Sequence, residues 1–267
     1  MTGEDIAEFR AAIRRAGRAP MARLGKAVRA VLASFALDGL VTPIGDADAK
    51  TNAPGTYRPV GPSCPSSCPF LPASQPGRDS IDWEYVRALA TLAQALGLGS
   101  DIVAWTYTHE PDPREVERLR AALPWLSIRH SDHAGPMGAV VAEVEDIPAL
   151  RRAGLKPLHC PATRKDADGY ALTDCQKCGA CWTQPERLIV FPPHGSGTKK
   201  LRQRRAGEKE NGSGVAPCYA ANGNVGVHSR RSTVDPWASA RAAMAAVVWA
   251  QSTNRLARLH VSGGFYG

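Results

Sequence analysis

The sequence predicts an α/β fold: a mostly parallel sheet, a cap of N-terminal helices and a cysteine-rich metal-binding extension. Three observations support this prediction. Strand-like and helix-like segments alternate from residue 81 onward, as they do in βα units. Apolar residues recur at helical spacing over residues 4–37. The chain has seven cysteines, and four of them lie within residues 160–181.

The N-terminal part of the chain divides into helical and irregular segments. Pro20 separates two predicted helices within residues 4–37. Residues 38–72 are rich in glycine, proline, aspartate and asparagine, which predicts irregular chain with one short strand near Tyr57. Such chain suits a loop that carries cysteines, because small residues let the backbone approach a cluster closely.

From residue 81 onward the segments are regular. Predicted helices start at proline or aspartate, or end at glycine, and cover residues 83–96, 113–123, 147–153 and 236–251. Predicted strands are mostly rich in β-branched and aromatic residues and cover residues 102–108, 126–130, 139–144, 157–160, 188–191 and 256–261. Their alternation predicts that the strands are largely parallel.

These segments predict four regions along the chain. Residues 1–37 form the N-terminal helices, and residues 38–155 together with 211–267 form the α/β core. Residues 156–195 form a four-cysteine module. Residues 196–210 form a basic, mobile segment, because they have few apolar side chains to offset the entropy of ordering.

The most specific signal is Cys-x2-Cys-x2-Cys, formed by Cys175, Cys178 and Cys181, with Cys160 fifteen residues upstream. Two-residue spacers let successive thiolates turn toward one ion or cluster. Four sulfur ligands favour zinc or an iron–sulfur cluster over magnesium or calcium. We expect all four sulfurs to converge on one centre, with Trp182 packed beside it. Disulfides are the alternative.

The remaining cysteines, Cys64, Cys68 and Cys218, form a second set. Three thiolates would leave one position of a cubane cluster open for a substrate or cofactor. The alternative is a zinc knot in which His228 or His260 is the fourth ligand. The residues alone leave both interpretations open.

The net charge of the chain and its predicted cellular compartment limit which partners it could bind. The net charge is +8, and lysine and arginine concentrate in residues 10–29, in residues 199–205 and at 230–231. These basic segments would suit binding to nucleic acid; the alternative is that they are solvent-exposed surface that keeps the protein in solution. The sequence shows neither an apolar signal segment nor a membrane span. It therefore predicts a cytoplasmic protein with reduced thiols, which argues against disulfides.

Catalytic residues are not identified by spacing. His109 and Glu110 follow one predicted strand, and Ser131, Asp132 and His133 follow the next. Neither set has the spacing of a defined acid–base pair. The chain also lacks a P-loop, a complete dinucleotide fingerprint and a serine-hydrolase elbow.

Several motifs together resemble the phage gene-product-88 family. They are Lys50-Thr51, Tyr57-Arg58-Pro59, Cys64-Pro-Ser-Ser-Cys68-Pro, Cys218-Tyr219-Ala220, Leu259-His260-Val261-Ser262-Gly263, and Cys175 to Trp182 followed by Phe191 and His194. The resemblance covers most of residues 45–267 and implies a protein of the phage-infected host cell. In that family the Cys-Tyr-Ala and His-Val-Ser-Gly motifs follow the first cysteine pair, whereas here they come last. Moving residues 211–267 between Pro72 and Ala73 restores the family order.

In the restored order the chain looks like a distant radical S-adenosylmethionine enzyme, which implies a partial (β/α) barrel. The resemblance implies that one cluster is held by Cys64, Cys68 and Cys218. It further implies that Tyr219, Ser262, Gly263 and Gly264 bind the cofactor, and that the four-cysteine set holds an auxiliary cluster. The distant Cys218 departs from the usual spacing.

The resemblance also implies a position for the C-terminal segment and a function. The strand at 256–261 should lie inside the sheet beside the strand at 102–108, covered by the helix at 236–251. The implied function is a redox or S-adenosylmethionine-dependent radical enzyme of unknown substrate. The alternative is a non-catalytic zinc protein that binds nucleic acid through its basic segments.

Overall fold

The computed structural model describes residues 41–42, 53–56, 81–131, 133–168, 172–192 and 235–259, with single positions between 4 and 31. The described strands are β1 (Val41–Thr42), β2 (Gly55–Thr56), β3 (Ala104–Thr108), β4 (Leu126–Ser131), β5 (Gly138–Val141), β6 (Pro157–His159), β7 (Leu188–Phe191) and β8 (Ala257–Arg258). The described helices are α1 (Trp83–Ala95), α2 (Pro113–Ala122), α3 (Ile147–Arg152), α4 (Cys175–Cys178), α5 (Ala180–Thr183) and α6 (Pro236–Ser252). Short 3-10 turns cover Val144–Asp146 and Pro161–Thr163.

These strands form one sheet in the order β1-β2-β8-β3-β4-β5-β7-β6. Every neighbouring pair is parallel except β1 with β2, which is antiparallel. The prediction of an α/β fold with a mostly parallel sheet is therefore confirmed.

Three aspartates start the long helices. The carboxylate of Asp82 accepts the backbone N–H of Tyr85 at 2.9 Å at the start of α1, and Asp235 caps α6 in the same way. Asp112 caps α2, which has proline in its first turn. These caps satisfy backbone donors that the first helical turn leaves unpaired. They place each helix start where the sequence predicted it.

One face of the sheet, here called the helix face, carries the main apolar core. Ala104, Leu126, Ile128 and Ala257 point from β3, β4 and β8 into a cluster with side chains of α1, α2 and α6. The helix α6 is rich in alanine, so it packs closely against both the sheet and α1. On β7, Leu188 and Val190 pack with Ile147 of α3. The register shows that this is the same face.

The C-terminal strand lies in the interior of the sheet, as expected. β8 is hydrogen-bonded between β2 and β3, with Ala257 opposite Ala104 and Arg258 opposite Trp105. The helix α6 covers β1, β2 and β8. This arrangement confirms the predicted position of the strand for Ala257–Arg258, and residues 260 and 261 lie outside the described residues. The expected approach of Cys218 to Cys64 lies outside the described residues.

Some predicted features differ or lie beyond the described chain. The strand β1 was not predicted, and the short strand expected near Tyr57 is β2. The described positions between 4 and 31 are helical, and Val31 packs against the main core. The segment 196–210 is outside the described residues. None of the helices in the described part of the chain is long and apolar enough to cross a membrane.

Candidate metal centre

Four cysteines line one small cavity. Cys160, Cys175, Cys178 and Cys181 are reduced thiols at its wall. The remaining wall consists of apolar and aromatic residues: Pro161, Ala162, Ala180, Trp182 and Ile189. Cys160 and Cys181 are buried, whereas Cys175 and Cys178 are partly exposed. Trp182 also lines the cavity beside the thiols, as the sequence predicted.

Local structure explains how residues 160 and 175–181 reach the same cavity. Cys160 follows β6, and its backbone N–H donates to Val190 O of β7 at 2.9 Å. Asp174 caps α4, so Cys175 and Cys178 are one helical turn apart. Gly179 then adopts a left-handed conformation with φ of 65°, which ends α4 and starts α5 with Cys181. Glycine adopts this conformation without the steric cost that a Cβ imposes.

The cysteine module packs on the sheet face opposite the helices, here called the cysteine face. Alternation along β3 directs Trp105 and Tyr107 to this face. The ring of Trp105 packs on Trp182 with centroids 4.8 Å apart, and Tyr107 meets the edge of Phe191 at 5.7 Å. These aromatic contacts attach the module to the central strands.

Arg129 of β4 lies at the base of the module and is 0% exposed. Its five N–H donors all bond to backbone carbonyls, namely those of Cys181 (3.0 Å), Gly138 (3.3 Å), Arg187 (2.7 Å), Ala180 (2.9 Å) and Gln184 (2.7 Å). The neighbouring Ser127 hydroxyl also donates to Cys181 O at 3.0 Å. Arg129 therefore fixes the backbone at both ends of α5.

Tyr107 is the hydrogen-bond partner of Cys181, with its hydroxyl oxygen 2.9 Å from the sulfur. Burial raises the pKa of the Cys181 thiol, and the Tyr107 hydrogen bond and the Arg129 charge oppose this rise. Burial also raises the pKa of Tyr107 well above its ordinary value, so Tyr107 keeps its proton at neutral pH. A neutral phenol next to a thiolate donates a hydrogen bond to the sulfur and keeps its proton.

Gln176 joins the module to the C-terminal segment. Its side-chain amide donates to Leu256 O at 3.1 Å and accepts the Leu256 N–H at 2.9 Å. The pair connects α4 to the residue just before β8, eighty positions away in the chain. The four-cysteine module is therefore in direct contact with the segment that leads into β8.

Other predicted site residues fall into two groups. Those of the second cysteine set and the cofactor loop lie outside the described residues: Cys64, Cys68, Cys218, Tyr219, His228, His260, Ser262, Gly263 and Gly264. His133 is described, and its ring stacks on that of His130 at 4.7 Å. Glu110 is buried, and one of its carboxylate oxygens accepts the backbone N–H of Asp112.

The sequence did not single out Arg129, Tyr107 or Gln176. Alternation of Leu126, Ser127, Ile128 and Arg129 indicates a strand with one polar face. It does not indicate that this face is buried under a module fifty residues later. Among the described residues, no group of three or more His, Cys, Asp or Glu side chains has the geometry of a single-ion site. The four cysteines share a cavity, and their metal remains a prediction.

No protein-family model matches the chain, and neither does any curated protein or solved structure.

Proposed function

We propose that this chain is an iron–sulfur protein whose cluster is held by Cys160, Cys175, Cys178 and Cys181. The observation that carries the proposal is the single cavity with four reduced thiols and an otherwise apolar wall. Thiolates are soft ligands that suit iron–sulfur clusters and zinc, whereas hard cations require oxygen ligands. Among the described residues of the wall there is no carboxylate or imidazole, so the donor set fits a cluster ligated by cysteine alone.

The apolar wall also suits redox chemistry. A bound iron–sulfur cluster supplies the exchange of single electrons. Trp182 and Ile189 reduce the access of water to the cavity, and exclusion of water is one of the factors that set cluster potentials. Cys175 and Cys178 lie on the more exposed side. We assign the entry of metal and electrons to that side.

A partial (β/α) barrel is the architecture we propose around this centre. The helices α1, α2, α3 and α6 all pack on the helix face, whereas a doubly wound sheet has helices on both faces. In a (β/α) barrel the helices form the outer layer. Trp105, Tyr107 and Arg129 would then face the interior of the barrel, beneath the cysteine module.

The order of the strands supports a relationship to radical S-adenosylmethionine enzymes. β2 and β8 are adjacent and parallel, so the chain leaves both strands at the same edge of the sheet. Cys64 and Cys68 follow β2 in sequence, and Ser262, Gly263 and Gly264 follow β8. We propose that the first loop holds a second cluster with Cys218. The second loop, with Tyr219, would contact S-adenosylmethionine. The substrate remains unassigned.

Anaerobic purification of the full chain tests the proposal. We expect a brown protein that contains iron and acid-labile sulfide. Two matched triple variants separate the sites: serine at 64, 68 and 218 should keep the four-cysteine cluster, whereas serine at 175, 178 and 181 should lose it. A colourless protein with stoichiometric zinc would contradict the iron–sulfur assignment. That outcome would favour the zinc alternative, whose nucleic-acid binding should then weaken steeply with salt.

A further inference from the structure

Arg129 is a buried cation that forms no ion pair among the described residues, although the Glu186 carboxylate lies near enough to favour its charge. Its guanidinium is fully buried, and none of the ion pairs among the described residues includes it. All five of its N–H donors point to carbonyl oxygens, which solvate the charge but do not neutralise it. A charge buried in this way is costly unless an anion lies nearby.

The cysteine cavity supplies the place for that anion. Two of the five carbonyls belong to Ala180 and Cys181, which line the cavity, so the guanidinium lies directly beneath the module. Four thiolates carry four negative charges, and one divalent ion or a dicationic cluster would leave a net charge of −2. Arg129 would compensate part of this charge inside a region of low dielectric.

Tyr107 adds a second favourable interaction, a hydrogen bond to the sulfur of Cys181. Its hydroxyl oxygen is 2.9 Å from Cys181 Sγ, and its ring is held by the edge contact with Phe191. Hydrogen bonds to the sulfurs of a metal centre shift electron density away from the metal. Such bonds, together with net charge, set the potentials of iron–sulfur clusters.

We propose that Arg129 and Tyr107 are positioning residues that hold the four-cysteine centre and raise its reduction potential. This inference rests on the proposed function, because it requires a metal at Cys160, Cys175, Cys178 and Cys181. Arg129 acts through its charge and through the backbone of α5. Tyr107 acts through its hydrogen bond to the sulfur of Cys181. Neither residue needs to contact substrate.

The test compares variants matched in shape. Arg129→Lys and Arg129→Met both lose the planar fork of donors, and only the methionine variant also loses the charge. Tyr107→Phe removes one hydroxyl, and Tyr85→Phe removes the same group from α1 on the helix face. Each full-length chain also carries serine at 64, 68 and 218, so that the four-cysteine centre alone is titrated; it is reconstituted anaerobically with iron and sulfide and titrated with dithionite. Reduction delivers one electron to the cluster and breaks no bond.

We expect Arg129→Met to disfavour reduction by about tenfold or more, which is 59 mV for one electron. Arg129→Lys should stay near the wild-type potential, although both variants lose stability. Tyr107→Phe should shift the potential in the same negative direction, whereas Tyr85→Phe should leave it unchanged. If Arg129 had only a structural role, both Arg129 variants would be less stable, but their reduction potentials would be equal.

The outcomes distinguish this inference from the proposed function. Equal potentials in Arg129→Lys, Arg129→Met and wild type, with equal cluster content, would overturn the inference and leave the iron–sulfur function standing. If the wild type takes up zinc instead, the iron–sulfur function and the effect on reduction potential are both overturned. Zinc retention against a chelator then tests the holding role alone, which requires Arg129→Met to lose zinc faster than Arg129→Lys. A wild-type chain that binds neither metal would overturn both.

Discussion

Gly179 separates the two short helices that present three of the four cysteines. Its φ of 65° lies in the left-handed region, where a residue with a Cβ pays about 1–2 kcal/mol. The position has room for a methyl group, with Thr183 atoms at 3.5 Å as its nearest neighbours. The backbone conformation, and not crowding, therefore makes glycine necessary here.

Gly179→Ala should lower the free energy of unfolding by about 1–2 kcal/mol and should also lower metal retention against a chelator. Gly99→Ala is the matched control, because Gly99 has open space and no left-handed backbone. It should change stability by less than about 0.5 kcal/mol. Urea unfolding of both variants measures the difference. Equal stabilities would show that α4 and α5 tolerate another path between Cys178 and Cys181.

Cys178→Ser removes one thiolate and should release the metal. Because metal binding contributes directly to folding, we expect a loss of roughly 3 kcal/mol or more, which lowers Tm by about 6–12 °C. Thermal unfolding of the metal-loaded protein is the measurement. Both chains carry serine at 64, 68 and 218; the chelator-treated chain that keeps Cys178 is the control and should unfold at the temperature of the variant. A variant that keeps full metal content and Tm would exclude Cys178 as a ligand.

The contact between α4 and the start of β8 is the main link between elements distant in sequence. Gln176 makes two hydrogen bonds to the backbone of Leu256, and each contributes about 0.5–1.5 kcal/mol. Gln176→Ala should therefore destabilise the protein by roughly 1–3 kcal/mol. It should also increase amide hydrogen exchange in β8.

Gln94→Ala is the control for that prediction, since Gln94 is an exposed residue of α1. It should leave both stability and exchange in β8 close to wild type. Unchanged exchange at residues 256–258 in Gln176→Ala would mean that β8 is held by its neighbours β2 and β3 alone.

The sequence identified those elements whose signals are local. The cap at Asp235, the proline at the start of α2 and the β-branched strands of the core were found because each signal spans a few residues. The caps at Asp82 and Asp112 were not singled out. Cys175, Cys178 and Cys181 were grouped for the same reason. The roles of Arg129 and Gln176 were missed because their partners lie about 50 and 80 residues away. No local pattern specifies such pairs.

At the scale of the whole molecule, the order of the strands in the sheet differs from their order in the sequence. β8 lies between β2 and β3, and α6 packs on β2 and β8. Placing residues 211–267 after residue 72 gives the path β2, α6, β8, α1, β3, α2 and β4. Each pair of neighbouring parallel strands is then joined through one helix, as in repeated βα units. The motif order of the family that the sequence resembles suggested this path, and the observed order of strands in the sheet is consistent with it.

A rearranged chain tests this view. With residues 211–267 moved between Pro72 and Ala73, we expect wild-type helix content by circular dichroism and a Tm within a few degrees of wild type, because the sheet neighbours are unchanged. As a control, the same segment is inserted between Gly154 and Leu155, the turn before β6. There the segment starts beside β6, at the opposite edge of the sheet from β2, so the protein should unfold at a lower temperature. Equal stability of the two chains would contradict the proposed path.

The most direct test of the four-cysteine centre is X-ray absorption at the metal edge. The measurement uses the variant with serine at 64, 68 and 218, so that only Cys160, Cys175, Cys178 and Cys181 remain as thiols. We predict one centre per chain with a first shell made only of sulfur, at about 2.3 Å from the metal. Loss of all metal from this variant, or a shell of nitrogen and oxygen, would contradict the account.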